Sequence, residues 1–186
     1  MPKDISDSVL TKEKPFEASV LNFDNPVSLN NHGNELKSMN KLDEAIKMFE
    51  KAISIEPLNA LYHYNKASCF LLKEEYEKAI EDFDASINLD KKYAEAYSGK
   101  ADCFYHLNRN EEAIAFFEKA IRLNKSLASA YNGKALVLDD QKEYKRALRY
   151  FNEAIRLDPL NSDFFYNKGF TLDNLNDGDG AIECFK

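Results

Sequence analysis

Tryptophan is absent from this 186-residue chain, and glycine, proline and cysteine are scarce, with six, five and three residues. So little glycine and proline argues against collagen-like and low-complexity chains. Cys69, Cys103 and Cys184 are too few and too widely spaced for a disulfide-stapled miniprotein. No apolar run approaches the roughly 18 residues of a membrane span, and the first residues lack the hydrophobic stretch of a signal peptide. We therefore expect a cytoplasmic protein with reduced thiols and no direct membrane insertion.

Basic residues are outnumbered, because 25 Lys and Arg stand against 32 Asp and Glu, which gives a formal net charge of -7. An acidic surface disfavours nucleic acids and anionic lipids, which bind basic faces. Metal and catalytic motifs are missing as well. The three histidines have no partner at metal-ligand spacing, and residues 173–180 fail the register of a calcium loop. We expect no enzyme activity, no metal and no cofactor, and a protein partner without nucleic acid.

What the chain does contain is a repeat with a period of 34 residues. Within each copy, apolar residues recur at spacings of three and four, which predicts two amphipathic helices. Three columns carry the repeat. The alanine column comprises Ala45, Ala79, Ala113, Ala147 and Ala181, and the phenylalanine column comprises Phe49, Phe83, Phe117, Phe151 and Phe185. The small column comprises Gly33, Ala67, Ala101, Ala135 and Gly169. One helix pair cannot bury its apolar faces alone, so the pairs must stack on one another.

These columns, with closing prolines at Pro57 and Pro159, resemble the tetratricopeptide repeat. The resemblance implies an all-α fold, a right-handed α-solenoid of antiparallel helix pairs. It covers about residues 26–186, with repeats at 26–59, 60–93, 94–127 and 128–161 and an incomplete fifth at 162–186. Residues 1–25 carry no repeat, and we expect them to be a leader that is either flexible or packed on the array.

The resemblance also implies a function, because the first helices of such repeats line a concave groove that holds a peptide or helix of a partner protein. We therefore predict a non-catalytic scaffold or adaptor. The predicted groove residues are Asn34, Tyr64, Asn65, Ser68, Asp102, Tyr105, Asn132, Leu136, Asp139, Asp140, Tyr166, Phe170 and Asp173. Aromatic and acidic side chains dominate this set, so the expected ligand has apolar anchors and basic residues.

One subgroup of the family clamps the C-terminal carboxylate of chaperone tails with cationic and amide side chains. Asn34 and Asn65 stand in suitable columns here. Asn30, Glu95 and Gly99, however, stand where that subgroup places cationic residues, and Glu95 would repel a carboxylate. We expect no chaperone-tail clamp.

Two further columns leave alternatives open. A lysine column either packs its aliphatic stems over apolar surface or forms a basic row for an acidic ligand; it comprises Lys66, Lys100, Lys134 and Lys168. An incomplete asparagine column either holds a peptide backbone or bonds within the protein; it comprises Asn31, Asn65 and Asn167.

Two alternatives to an independent adaptor also follow from the sequence. The array is either a targeting segment of a larger enzyme or complex subunit, or a structural array that associates with itself. The second alternative rests on Ile182 and Phe185, which lie in the unfinished last repeat and need a cover. We expect this cover to come from further repeats of a longer protein, from the leader or from a second copy of the chain. We expect self-association, where it occurs, through this C-terminal edge.

Overall fold

The computed structural model describes residues 25–186, which fold into ten α-helices without strands. The helices are α1 (Pro26–Ser38), α2 (Leu42–Ile55), α3 (Ala60–Leu72), α4 (Tyr76–Leu89), α5 (Ala94–His106), α6 (Asn110–Leu123), α7 (Ala128–Asp140), α8 (Tyr144–Leu157), α9 (Ser162–Asn174) and α10 (Gly178–Cys184). Each predicted repeat contains one pair of them. The predicted leader lies outside the described residues apart from Asn25, whose side chain caps α1. The all-α repeat solenoid predicted from the sequence is confirmed.

The two helices of each hairpin are joined by the same turn. After α1, the Lys41 amide donates to the Leu36 carbonyl at 2.9 Å and the Asn40 amide donates to the Lys37 carbonyl at 2.9 Å. This Schellman arrangement requires a left-handed residue between the helices. That residue recurs in one column, with φ between 57° and 62°, at Asn40, Glu74, Asn108, Lys142 and Asn176. The turn therefore repeats with the sequence period.

Inside each hairpin, the phenylalanine column fills the space beside the small column. Phe49, Phe83, Phe117 and Phe151 are at most 1% exposed. The alanine column faces the same seam and is buried throughout the described residues. Large rings beside small residues let two helices approach closely and leave no void, which is the packing that the sequence columns predict.

Successive hairpins meet through three positions of each first helix, the third, sixth and tenth. Tyr62, in the third position of α3, packs with Leu29 and Ala52 of the preceding hairpin. Cys69, in the tenth, packs against the cluster around Phe49. These positions therefore belong to the junctions between hairpins and not to a ligand-facing surface.

The first helices α1, α3, α5, α7 and α9 each contact their counterparts in the neighbouring hairpins. Within residues 25–186, no second helix contacts the second helix of another hairpin. The first helices therefore lie on the shorter, concave side of the array, where the groove is expected.

Candidate functional site: the concave groove

The predicted groove residues other than Asn65 and Asp140 stand in the fifth, ninth and twelfth positions of the first helices, and Asp140 is the last residue of α7. Most of the predicted residues there are half-buried: Asn34, Tyr64, Ser68, Asp102, Tyr105, Asn132, Leu136 and Asp139. Four are exposed, namely Asp140, Tyr166, Phe170 and Asp173. Half-burial on a concave surface leaves these side chains reachable by a ligand that lies along the groove.

Asn65 does not belong to this surface. It is only 4% exposed, and its Nδ2 donates to Asn30 Oδ1 at 2.7 Å across the first junction. In the ligand-free chain the Asn65 amide is thus used between two helices, and contact of Asn65 with a ligand stays a prediction. Asn167 Nδ2 donates in the same way to Asn132 Oδ1 at 3.1 Å. Both pairs are separated by 35 residues, one repeat plus one residue, and this spacing is the sequence signal that could have identified them.

Tyrosines and acids meet in the middle of the groove. Tyr105 Oη donates to Asp140 Oδ2 at 2.8 Å, which links α5 to α7. Tyr64 packs against Tyr93 and Phe83, with ring centroids 5.0 and 5.9 Å apart. Burial raises the pKa of Tyr64. Both phenol rings are thus held in place by contacts within the chain and form preorganised aromatic surface.

Asp102 is the unusual member of the site. It occupies the ninth position of α5, and within residues 25–186 no donor or cation pairs with its carboxylate. Burial alone raises its pKa to about 7. A half-buried carboxylate without a partner is poorly solvated when it ionises, and a cation that approaches it stabilises the ionised form. Asp139 adds a second unsatisfied group, because its Oδ1 is buried without a hydrogen-bond partner.

The lysine column lies between hairpins and not in the groove. Lys100 Nζ pairs with Asp84 at 2.6 Å and lies over the Phe116 ring at 4.6 Å from its centroid. Lys134 Nζ pairs with Glu118 at 2.8 Å and donates to Tyr150 Oη at 2.8 Å. These lysines are buried and occupied, so the alternative of a basic row for an acidic ligand is wrong for them.

At the C-terminal end, the groove runs into an exposed aromatic cluster. Tyr166 and Phe170 pack edge to face with centroids 4.7 Å apart. Phe185 of the last hairpin lies 5.8 Å from the first ring and 5.7 Å from the second. A second aromatic surface, exposed to solvent, therefore lies beyond the tyrosines of the middle.

The described part of the chain holds no group of three or more His, Cys, Asp or Glu that could bind a metal ion. Burial raises the pKa of the Cys69 thiol to about 11 and that of the Cys103 thiol to about 12, so both are inert fillers. In the same residues, no helix has the length and apolarity to span a membrane.

Family models of tandem helical repeats match most of the described chain. Tetratricopeptide repeat models match residues 58–126, 94–159 and 150–183, and a TPR repeat model matches residues 33–71. Among curated proteins, the Hsp70-Hsp90 organising protein of Plasmodium falciparum (isolate 3D7) is 46% identical over 46 residues. That match covers 25% of this chain and 8% of that protein. The chain therefore spans a small part of this relative's length.

Solved structures share the fold at low sequence identity. The thermophilic TPR protein TTC0263 of Thermus thermophilus has a TM-score of 0.78 and is 18% identical, covering 86% of this chain and 87% of that chain. A chain of the APC/C hetero-tetramer Cut9-Hcn1 has a TM-score of 0.80 and is 18% identical, covering 87% of this chain and 32% of that chain. YrrB, described as a TPR protein with an unusual peptide-binding site, has a TM-score of 0.60 and is 23% identical, covering 88% and 84%.

Proposed function

We propose that this chain, which belongs to the tetratricopeptide repeat family, is a scaffold. Its concave groove binds a peptide or helix of a partner protein. The family is generally non-catalytic, and we propose the same for this chain. The partner segment carries apolar anchors and at least one Lys or Arg, and binding takes place in the cytoplasm. The alternative, a targeting segment of a larger enzyme or complex subunit, uses the same groove.

The observation that carries this proposal is the unpartnered Asp102 carboxylate on the groove side of α5. A half-buried carboxylate without a cation is poorly solvated in its ionised form, which lowers the stability of the free protein. A lysine or arginine of the ligand supplies the missing partner and forms a charge-assisted hydrogen bond. Asp139 and Asp140 extend the negative potential along α7 and therefore also favour a positively charged ligand.

Aromatic surface on both sides of Asp102 supports apolar anchors next to the basic residue. Tyr105 is held by Asp140 at 2.8 Å, and Tyr64 is held by its neighbouring rings. Fixed rings lose little conformational entropy on binding, so they serve as interface anchors. Leu136, on the neighbouring first helix, adds half-buried aliphatic surface in the same column as Asp102.

The same charges oppose an acidic ligand such as a chaperone tail. Glu95 is half-buried at the start of α5. In α1, α3, α7 and α9, the positions equivalent to Glu95 and Gly99 hold no Lys or Arg. Although a relative is named as a chaperone organiser, its match covers 25% of this chain. We propose that an acidic C-terminal peptide does not bind.

The test is a selection of peptides from a random library on the purified chain and on Asp102→Asn. We expect wild-type selections enriched in Lys or Arg beside aromatic or aliphatic residues, and no basic enrichment with the variant. For a selected peptide, fluorescence anisotropy measures the loss of affinity. Removing a charged hydrogen-bond partner costs about 1.5–3 kcal/mol, which corresponds to a roughly tenfold to hundredfold weaker Kd.

The matched control is Glu81→Gln, which removes the same charge from an exposed position of α4. Its affinity should equal that of the wild type. If both variants weaken peptide binding equally, the loss of affinity reflects the net charge of the chain. That result would contradict a defined site at Asp102. Preferential selection of acidic peptides, or binding of an acidic C-terminal tail, would overturn the assigned ligand chemistry.

A further inference from the structure

The outward face of α8 is basic, although the chain as a whole carries a formal net charge of -7. Like the other second helices, α8 lies on the side of the array opposite the groove. Four exposed residues follow one another at spacings of four, three and four residues, so they share one face of the helix. We call them the α8 stripe: Lys145, Arg149, Asn152 and Arg156. Lys142, in the turn before α8, is exposed as well and adds a further positive charge.

The equivalent positions of the preceding second helices hold mostly acids. In each of α2, α4 and α6, the acids at these four positions outnumber the cations: Asp43, Lys47, Glu50 and Ser54; Glu77, Glu81, Asp84 and Asn88; Glu111, Ala115, Glu118 and Arg122. The repeat itself therefore does not require a basic stripe. A cluster of positive charge in an acidic chain gives this surface an electrostatic preference of its own.

The cations of the α8 stripe are only partly compensated by nearby acids. Arg156 pairs with Glu153 at 2.6 Å. Within residues 25–186, however, no acid forms an ion pair with Lys145 or Arg149. An arginine presents five N–H donors in a planar fork that matches the geometry of a carboxylate. Arg149 can therefore accept a carboxylate partner from outside the chain.

An open hollow of about 360 Å³ adjoins the stripe and contains a second donor. It is lined by Tyr131, Arg146, Arg149, Tyr150 and Glu153. Tyr150 Oη accepts a hydrogen bond from the buried Lys134 Nζ at 2.8 Å, so its own proton remains available for another acceptor. Glu153, the acid of this lining, is neutralised by Arg156. The hollow thus presents the donors of Arg149 and Tyr150, which suit a carboxylate.

We propose that the α8 stripe and this hollow bind a short acidic segment of a partner protein, with an Asp or Glu carboxylate held by Arg149 and Tyr150. From Lys145 to Arg156 the stripe rises by roughly 17 Å along the helix, which limits the length of the segment. A nucleic acid or an anionic membrane would also cover the acids that border the stripe, and these would repel it. Because the stripe faces away from the groove, the chain can bridge two partners of opposite charge.

The probe comes from a peptide library restricted to Asp, Glu, Ala, Leu and Tyr, selected on the purified 186-residue chain. Fluorescence anisotropy at low salt, where charges are little screened, then measures the affinity of a selected peptide. Arg149→Glu removes a charged hydrogen-bond donor and adds repulsion, so we expect a roughly tenfold or greater rise in Kd. Lys145→Glu, on the same stripe, should weaken binding as well.

The matched control is Lys47→Glu, which reverses the same charge at the equivalent exposed position of α2. It should leave the affinity unchanged, and circular dichroism should show the same helical signal for all three variants. Equal weakening by Lys47→Glu and Arg149→Glu would show an effect of net charge and overturn the assigned site. A selection that enriches no peptide on the wild type over the Arg149→Glu chain would overturn it too.

Tyr150→Phe tests the hollow separately from the stripe. Phe116 occupies the equivalent position of α6, so a phenylalanine ring suits the repeat there. Because the variant removes the hydroxyl donor and keeps the ring, we expect weaker binding of the acidic peptide. An unchanged affinity would contradict the hydroxyl as a partner of the carboxylate.

Two other occupants of the stripe are distinguished by the same variant. Labelled oligothymidylate that binds more tightly than the peptide, and is lost with Arg149→Glu, would overturn the assigned partner class. A second copy could present the acids of α4, namely Glu77, Glu81 and Asp84. A dimer in sedimentation equilibrium that is lost with Arg149→Glu would therefore assign the stripe to self-association and overturn the proposal.

This site is independent of the proposed groove function. Asp102→Asn should leave the affinity for the acidic peptide unchanged, and Arg149→Glu should leave the affinity for a basic groove peptide unchanged. Acidic peptides that are still selected on the Arg149→Glu chain would count against the ligand chemistry of the groove. Each proposal can thus fail without the other.

Discussion

Gly99 offers the sharpest test of how the hairpins fit together. It lies in the sixth position of α5, where the backbone of one hairpin meets the core ring of the hairpin before it. A methyl group on Gly99 would lie 2.4 Å from Cζ and 2.6 Å from Cε1 of Phe83. Ordinary van der Waals contact begins at 3.4 Å, so the ring must move by roughly 1 Å in a close-packed core. Phe83 is 1% exposed, so its ring is enclosed by other protein atoms.

The magnitude for Gly99→Ala follows from two opposing effects. Overpacking of a close-packed core costs about 1–3 kcal/mol. Replacing glycine by alanine inside a helix returns about 1 kcal/mol. Because the added methyl group is attached directly to the backbone and cannot rotate away, we expect the upper part of the range and a net loss of about 1–2 kcal/mol.

Urea unfolding followed by circular dichroism measures this loss. Gly178→Ala is the matched control, because nothing lies within 4 Å of a methyl group there. It should leave the urea midpoint unchanged or raise it slightly, whereas Gly99→Ala should lower it. A Gly99→Ala midpoint equal to or above that of the wild type would refute the packing argument.

A double variant identifies the ring as the cause. Phe83→Leu removes the ring carbons that a methyl group on Gly99 would meet. The loss of stability in the double variant should therefore be smaller than the sum of the two single losses, by about 1 kcal/mol. Strict additivity would show that the effect of Gly99→Ala arises elsewhere.

Two further predictions concern a charge and a turn. Burial raises the pKa of Asp102 to about 7 from an ordinary 3.8, so its ionisation destabilises the folded chain progressively as pH rises between these values. The difference in unfolding free energy between Asp102→Asn and the wild type, measured by urea titration, should therefore grow in favour of the variant as pH rises from about 4 to about 8. A difference that does not change with pH, or the same growth in the exposed Asp173→Asn, would contradict this. Lys142 has a φ of 62°, a left-handed backbone conformation that glycine adopts at lower cost than lysine. Lys142→Gly should therefore raise the free energy of unfolding by about 1 kcal/mol, which a higher thermal midpoint would report. Lys145→Gly, inside α8, should lower it, and a loss in both variants would argue against relief of backbone strain.

The fold could be predicted from the sequence because the repeat columns record packing between helices. Ala45 and Phe49 recur with their partners at every period, and the small column marks where helices cross. Five aligned copies make such positions visible without a structure. The hairpin breaks follow as well, since Asn40, Asn108 and Asn176 are suited to left-handed turns.

The site was less predictable, because neighbouring positions of a helix point about 100° apart. Asn30 and Asn65 are separated by one repeat plus one residue. A comparison of residues that are one full repeat apart therefore never pairs them, and their hydrogen bond is not visible in the repeat columns. Lys100 pairs with Asp84 of the preceding hairpin, a contact that depends on how two hairpins stack. The isolation of Asp102 is likewise a property of its surroundings, which no pattern in its own helix reveals.

The sixth position of the first helices acts as a spacer along the array. Asparagine occupies it in the first and last junctions, where Asn65 and Asn167 bridge to the helix before. Gly99 and Gly133 occupy it in the two central junctions, and there the first helices approach one another more extensively. Side-chain size in this one column thus goes together with how closely neighbouring first helices pack along the groove. A substitution at this position would therefore change the spacing of two hairpins without replacing any residue in the fifth, ninth or twelfth positions.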